Sequence, residues 1–297
     1  VWEAAGDLLT GQGDTVVIYD EPDTHLDYHH QRDLMKVILE QASLPDTKVI
    51  VATHSMNLID GVDIADVLHF ALDSDRTVVR VLRDDSETGR HLGSIAASLG
   101  LRNTTLLHER LFVGVEGITE MACLPILFRL ATGKHLESCG IALWACGNNE
   151  GAVNFAAFLK AHQRNVVFLC DHDSVKNCPK VFAPERLRAR GFDPDSEALY
   201  LGNPNEIEDL FDDQVWARVA NAVWPLPDGR NWKPQDFLVH RDGKFSSQVL
   251  EMLRTGSQVG PSSKEDVMTQ VALKLSRAEI PNDLTERFVE LQALAES

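Results

Sequence analysis

Apolar positions in the first third of the chain alternate between two spacings. Residues 15–19 (TVVIY) and 48–53 (KVIVAT) are short apolar runs, and between them residues 28–41 space their apolar positions as one face of a helix. This is a strand–helix–strand rhythm. Two further runs, residues 67–72 and 77–82, flank the polar turn residues Asp73, Ser74 and Asp75, which predicts a hairpin. Residues 84–109 are polar and then weakly helical, and the junction between two units is placed near Leu107.

Beyond that junction the rhythm restarts. Strands are expected at residues 111–115, 141–145, 166–170 and 198–201, with helices at 119–130, 151–161 and 184–190 between them. Four strands alternating with helices predict a mostly parallel sheet flanked by helices. From Glu206 onward the pattern is mainly helical, broken by a Pro- and Trp-containing connector at 224–234. The expected class is α/β, with one unit at 1–107 and a second at 108–297 that ends in additional helices.

Composition narrows the partners. At 297 residues and 44% hydrophobic content the chain can bury two cores. The net charge of −17 excludes binding of nucleic acid through a bulk basic field, so any DNA contact has to be local. Cys123, Cys139, Cys146, Cys170 and Cys178 form no C-x-x-C pair and lie mostly in apolar runs, which reads as reduced thiols in a cytoplasmic protein. No apolar run approaches the ~20 residues that span a bilayer, so no membrane partner is expected.

In TVVIYDEP an apolar strand runs into Asp20 and Glu21, placing two acids at the carboxyl end of a strand, where α/β sheets bind ligands. There an Asp can hold Mg²⁺ on phosphates and a Glu can polarise water. Pro22 and Thr24-His25-Leu26-Asp27 follow, and the second strand ends in Thr53-His54-Ser55. This ordered series resembles the Walker B motif, D-loop and switch histidine of ABC-type ATPases, in the branch that includes SMC-like proteins. The resemblance implies that Asp20 assists Mg²⁺, Glu21 is the catalytic base, Asp27 lies at a dimer interface and His54 contacts the γ-phosphate.

No G-x-x-x-x-G-K-[ST] phosphate loop occurs, and only Gly11 and Gly13 lie where the ABC signature belongs. The chain therefore reads as the C-terminal part of a longer protein, and ATP is expected as a ligand only together with an N-terminal ATPase part.

A second set of acids opens the second unit. LFVGV leads into Glu116-Gly117, and Glu120 lies four residues on, one helical turn along. VVFLC delivers Asp171-His172-Asp173, whose aspartates share a face if the extended conformation continues. If the strands are neighbours, the carboxylates converge, and their repulsion requires cations or raised pKa values. An all-oxygen set suits Mg²⁺ or Mn²⁺ better than zinc. Glu206, Glu208 and Asp209 in PNEIEDLF follow the next strand and open a helix, and Glu208 is the best additional ligand.

V-E-G-x-x-E followed by an apolar strand and D-x-D resembles the Toprim domain of topoisomerases, primases and certain nucleases. Joined behind an ABC-type ATPase, it is similar to the OLD (overcoming lysogenization defect) family of nucleases, with relatives in anti-phage systems such as Gabija and retron-associated effectors. The resemblance implies a metal-dependent DNA endonuclease that nicks or cleaves by two-metal hydrolysis, with Glu116 and Asp171 catalytic. Glu116, Glu120, Asp171, Asp173, Glu206 and Glu208 would hold two Mg²⁺ or Mn²⁺ ions, with Ca²⁺ as a non-catalytic mimic. It also implies a lysine that stabilises charge on the phosphate; Lys264 fits best, with Lys244 and Lys274 behind it. DNA, a homo-oligomer and a second defence-system protein are the implied partners.

The basic side chains Lys176, Lys180, Arg186, Arg188 and Arg190 are candidates to follow the DNA backbone. Two other readings compete. A topoisomerase or primase would share the metal site, the former needing a nucleophile among Tyr19, Tyr28 and Tyr200. An ATP-gated structural or sensor subunit would carry the acids as a vestige.

Overall fold

The computed structural model describes residues 14–73, 75–82, 92–147, 149–176, 181–202 and 206–296. Its contacts divide the chain into one unit of residues 1–96 with 102–107 and another of 97–101 with 108–297.

In the first unit, β1 (Thr15–Asp20) and β2 (Thr47–Ala52) pair in parallel, with Asp20 opposite Ala52. The helix α1 (Tyr28–Ala42) crosses between them and lays Leu34, Met35 and Ile38 against Tyr19, Val49 and Val51. Both strands alternate half-buried and exposed residues, so one face carries the small core and the other presents Val16, Ile18 and Ile50. The short α2 (Met56–Ile59) follows, capped by Ser55. The hairpin expected from the sequence forms as β3 (His69–Asp73) and β4 (Arg76–Arg80), antiparallel. Two short helices, α3 (Leu92–Ser98) and α4 (Asn103–His108), complete this stretch. Asn103 Nδ2 donates to the carbonyls of Ile59 and Val62 at 2.8 Å each, which ties α4 to the segment after α2.

The second unit is built on four parallel strands in the order β6–β5–β7–β8. These are β5 (Leu111–Val115), β6 (Ile141–Ala145), β7 (Asn165–Asp171) and β8 (Ala198–Leu201). Every residue of β5 is buried, as a central parallel strand covered on both faces requires. Gly114 is the close-approach point of that strand: a Cβ there would meet Phe168 Cδ1 at 2.9 Å and Cys146 Sγ at 3.0 Å.

The crossovers are α5 (Ile118–Thr132), between β5 and β6, and α6 (Glu150–Ala161), between β6 and β7. Next come α7 (Asp173–Lys176), α8 (Pro184–Ala189) and α9 (Pro194–Glu197), and after β8 a 3₁₀ turn at Ile207–Leu210. The C-terminal helices are α10 (Asp213–Val223), α11 (Pro234–Leu238), α12 (Phe245–Gly256), α13 (Lys264–Lys274) and α14 (Asn282–Glu296).

One sheet face, through Val113, Val115, Val167 and Leu169, joins a core with Leu124 and Leu127 of α5, Met268 and Val271 of α13 and Phe288 of α14. Trp144 stacks edge-on to Phe155 of α6, and Phe168 packs against Phe182 and Phe192. None of the described helices is long and apolar enough to cross a membrane.

Candidate metal centre

Parallel pairing aligns the carboxyl ends of β5 and β7, with Val115 opposite Leu169. Glu116 therefore leaves β5 beside Asp171, the last residue of β7. Glu116, Asp171 and Asp173 each offer a ligand atom within 4.8 Å of the others. The route to this convergence differs from the sequence expectation. The extended conformation does not continue past Asp171: Asp173 opens α7, and the His172 N–H is drawn to Leu201 O at 2.6 Å. The turn, and not strand alternation, aims Asp173.

Two of the described donors to Glu116 meet on one of its oxygens. The Asp171 N–H and the Ser174 hydroxyl both reach its Oε1, at 3.0 and 2.7 Å. Asp171 Oδ1 accepts from the Ile207 N–H at 3.1 Å, which draws the Ile207–Leu210 turn to the strand end. Burial, with Glu208, Glu116 and Glu120 around it, pushes the Asp171 carboxyl well above the ordinary carboxylate range.

The other predicted acids divide. Glu120 is buried, but its Oε2 accepts from the Gly117 N–H at 2.8 Å as a cap on α5, and it stands outside the three-residue cluster. Glu208 is 1% exposed, and Lys264 is the cation that faces it among the described residues. Its charge partner is Lys264 Nζ, 3.1 Å from Oε1 and 3.6 Å from Glu206 Oε1. Burial raises the Glu208 carboxyl to about 7, against the pull of Lys264. For Glu206, burial is outweighed by Lys264 and by hydrogen bonding from Ser246, which hold it below its ordinary value. Lys264 is held above its ordinary value by Glu208, Glu206 and Asp171, although burial opposes this. Lys244 instead precedes α12, and Lys274 ends α13.

Sequence reasoning did not find Ser174, Ile207 or Arg241. Arg241 donates to Asp209 O at 2.9 Å, to Phe211 O at 2.6 Å and to Asp213 Oδ1 at 2.8 Å, and it lies 4.0 Å above the Phe245 ring. Asp209 Oδ2 accepts from the Glu206 N–H at 2.9 Å. These contacts hold the acidic turn in place. The hydrogen-bond partners of Ser174, Ile207 and Arg241 lie between 28 and 58 residues away in sequence, so no local pattern announces them.

In the first unit, His54 Nε2 lies 3.3 Å from Glu21 Oε1, and Glu21 takes a left-handed φ of 44° at the strand end. Asp20 is exposed beside them. Asp27 caps α1, accepting from the His30 N–H at 3.0 Å. Of the basic stretch, Arg186 and Arg190 both pair with Glu150 at 3.0 Å, and Arg188 lies 3.7 Å from Asp195. The Lys176 side chain, Lys180, Cys178, Gly11 and Gly13 lie outside the described residues. Tyr200 donates to Phe182 O at 2.8 Å, and Tyr19 to Gln41. Cys123, Cys139, Cys146 and Cys170 are free and buried, and burial pushes the Cys146 thiol up to about 12.

Residues 4–60 match the family described as AAA domain, putative AbiEii toxin, Type IV TA system. Residues 110–173 match the family described as Overcoming lysogenization defect protein-like, TOPRIM domain. That second stretch runs from the residue before β5 to Asp173, and so contains all three clustered acids. No curated protein matches the chain. A solved structure of the C-terminal region of the Burkholderia pseudomallei OLD protein is similar at 16% identity, covering 62% of this chain and 98% of that one with a TM-score of 0.41.

Proposed function

We propose that this chain, an AAA-type ATPase segment followed by an OLD-like Toprim domain, is a metal-dependent DNA endonuclease that nicks or cleaves by two-metal phosphodiester hydrolysis. The observation that carries the reading is the meeting of Glu116, Asp171 and Asp173 within 4.8 Å at the carboxyl ends of two parallel strands. Carboxylate oxygens are the donor set that Mg²⁺ and Mn²⁺ take, and Ca²⁺ would bind as a non-catalytic mimic.

The electrostatics favour a cation as well. Burial, with Glu208, Glu116 and Glu120 close by, drives Asp171 toward its protonated form, and the buried Glu208 has Lys264 as its charge partner. Glu208, Glu206 and, after release from its cap, Glu120 would hold a second ion next to the first. Divalent ions bound there supply Lewis-acid charge and a water of lowered pKa. Lys264, positively charged and partly in contact with water, would face the scissile phosphate and offset its charge.

Two guanidinium groups, those of Arg186 and Arg190, converge on the single carboxylate of Glu150. That stretch would follow the DNA backbone. In this reading the AAA-type segment controls cleavage through Asp20, Glu21, Asp27 and His54 when an intact ATPase part supplies the phosphate loop. The protein would act as a homo-oligomer in cytoplasmic anti-phage defence, with a second defence protein as partner; the support is the resemblance in motif order.

The test is relaxation and linearisation of supercoiled plasmid in Mg²⁺ or Mn²⁺. Glu116→Gln and Asp171→Asn should each lose at least about 100-fold in rate, the scale for removing a group that acts in the transition state. Cleavage by both variants at the wild-type rate would overturn the proposal, and a protein–DNA adduct trapped by denaturant would favour a topoisomerase.

A further inference from the structure

Ser174 is completely buried in the first turn of α7, next to Asp173. Its hydroxyl donates to Glu116 Oε1 at 2.7 Å, and the Asp171 N–H donates to the same oxygen at 3.0 Å. A glutamate's terminal torsion is soft, so an unrestrained carboxylate samples a broad range of orientations. Two donors on one oxygen, arriving from a strand end and from a helix turn, fix both the tilt of the carboxylate and the oxygen it turns to the cluster. The turn that aims Asp173 also supplies the hydroxyl that clamps Glu116.

We infer that Ser174 is a positioning residue of the metal centre: its hydroxyl sets the orientation in which Glu116 meets the ion. The inference rests on the reading of the acidic cluster as a divalent-ion site. Outer hydrogen bonds to ligating carboxylates contribute to ion affinity in this manner. A purely structural serine would use Glu116 only as an acceptor for a buried hydroxyl, and its loss would change stability without changing how the folded protein binds metal.

The experiment titrates the full chain with Mn²⁺ and follows free Mn²⁺ by its electron paramagnetic resonance signal, with thermal unfolding recorded alongside. Ser174→Ala should weaken Mn²⁺ binding by about 10–100-fold, while Ser174→Thr, which keeps the hydroxyl, stays within about threefold of the wild type. The metal concentration for half-maximal plasmid cleavage should rise in parallel for Ser174→Ala. Binding by folded Ser174→Ala within threefold of wild type would overturn the inference, as would folded Ser174→Thr binding as weakly as Ser174→Ala. If Ser174→Ala does not fold, folded Ser174→Thr decides: binding within about threefold of wild type supports the inference, and binding weaker by about tenfold or more overturns it. Absence of Mn²⁺ binding by the wild type is a different failure: it removes the metal-centre reading itself and the inference with it.

Discussion

Lys264 Nζ lies 3.1 Å from Glu208 Oε1, and this ion pair is the charge compensation of a carboxylate that is 1% exposed. The pair is asymmetric: Glu208 is sealed in, whereas the Lys264 side chain keeps 32% of its surface in water. Removing the lysine therefore strands the glutamate, whereas removing the glutamate leaves a lysine that can turn outward.

Lys264→Met should destabilise the metal-free protein by roughly 3 kcal/mol at neutral pH, the low end of the cost of breaking a buried pair. Glu208→Gln alone should cost less, and the double variant should recover most of the loss. Urea unfolding in a chelator measures all three. Equal losses for both single variants, with no recovery in the double, would remove the asymmetry on which this prediction depends.

The same pair predicts a pH dependence. Glu208 has a folded pKa of about 7, raised by burial from an ordinary 4.5, so the folded state holds its proton longer than the unfolded state. A raised carboxyl contributes stability that is fully present below pH 4.5 and lost as the pH rises to 7. The difference in unfolding free energy between wild type and Glu208→Gln should accordingly shift against the wild type across that window by at most about 3 kcal/mol, levelling off above it. Saturating Mn²⁺ should reverse the shift, since an ion compensates the ionised form. A difference that stays flat across the window would show that Glu208 titrates normally.

Much of this architecture was legible in the apolar spacing because buried parallel strands are short apolar runs whatever their partners. Residues 111–115, 141–145 and 198–201 form strands within those bounds, and the hairpin forms between the two runs that flank Asp73 to Asp75. The acids at strand ends were also visible, since an apolar run that stops at a carboxylate marks its own end. Their orientation was not. Whether Asp173 shares a face with Asp171 depends on a turn held by Leu201, and whether Glu120 faces a metal or caps its helix depends on the Gly117 N–H. Ser174 gains meaning only from a residue 58 positions earlier. The cap that Asp27 places on α1 is local, an acid just before a helical run, and is compatible with the interface role that the resemblance implies.

Arg241 carries the last prediction, because it joins the acidic turn to the C-terminal helices without touching the clustered carboxylates. Its guanidinium reaches Asp209 O, Phe211 O and Asp213 Oδ1 and covers the Phe245 ring. The planar fork matches three acceptors at once, and a lysine ammonium cannot reproduce that geometry. Arg241→Lys should therefore behave more like Arg241→Ala than like the wild type, with both losing about 2–4 kcal/mol of stability through uncompensated carbonyls and the buried Asp209. The turn released by this loss carries Glu206 and Glu208, so Mn²⁺ binding by the folded variants should weaken as well, even though no ligand has been changed. Calorimetric Mn²⁺ titration alongside urea unfolding measures both effects. Wild-type Mn²⁺ affinity in a destabilised Arg241→Lys would show that the turn holds its acids without the arginine, leaving Arg241 a role in stability alone.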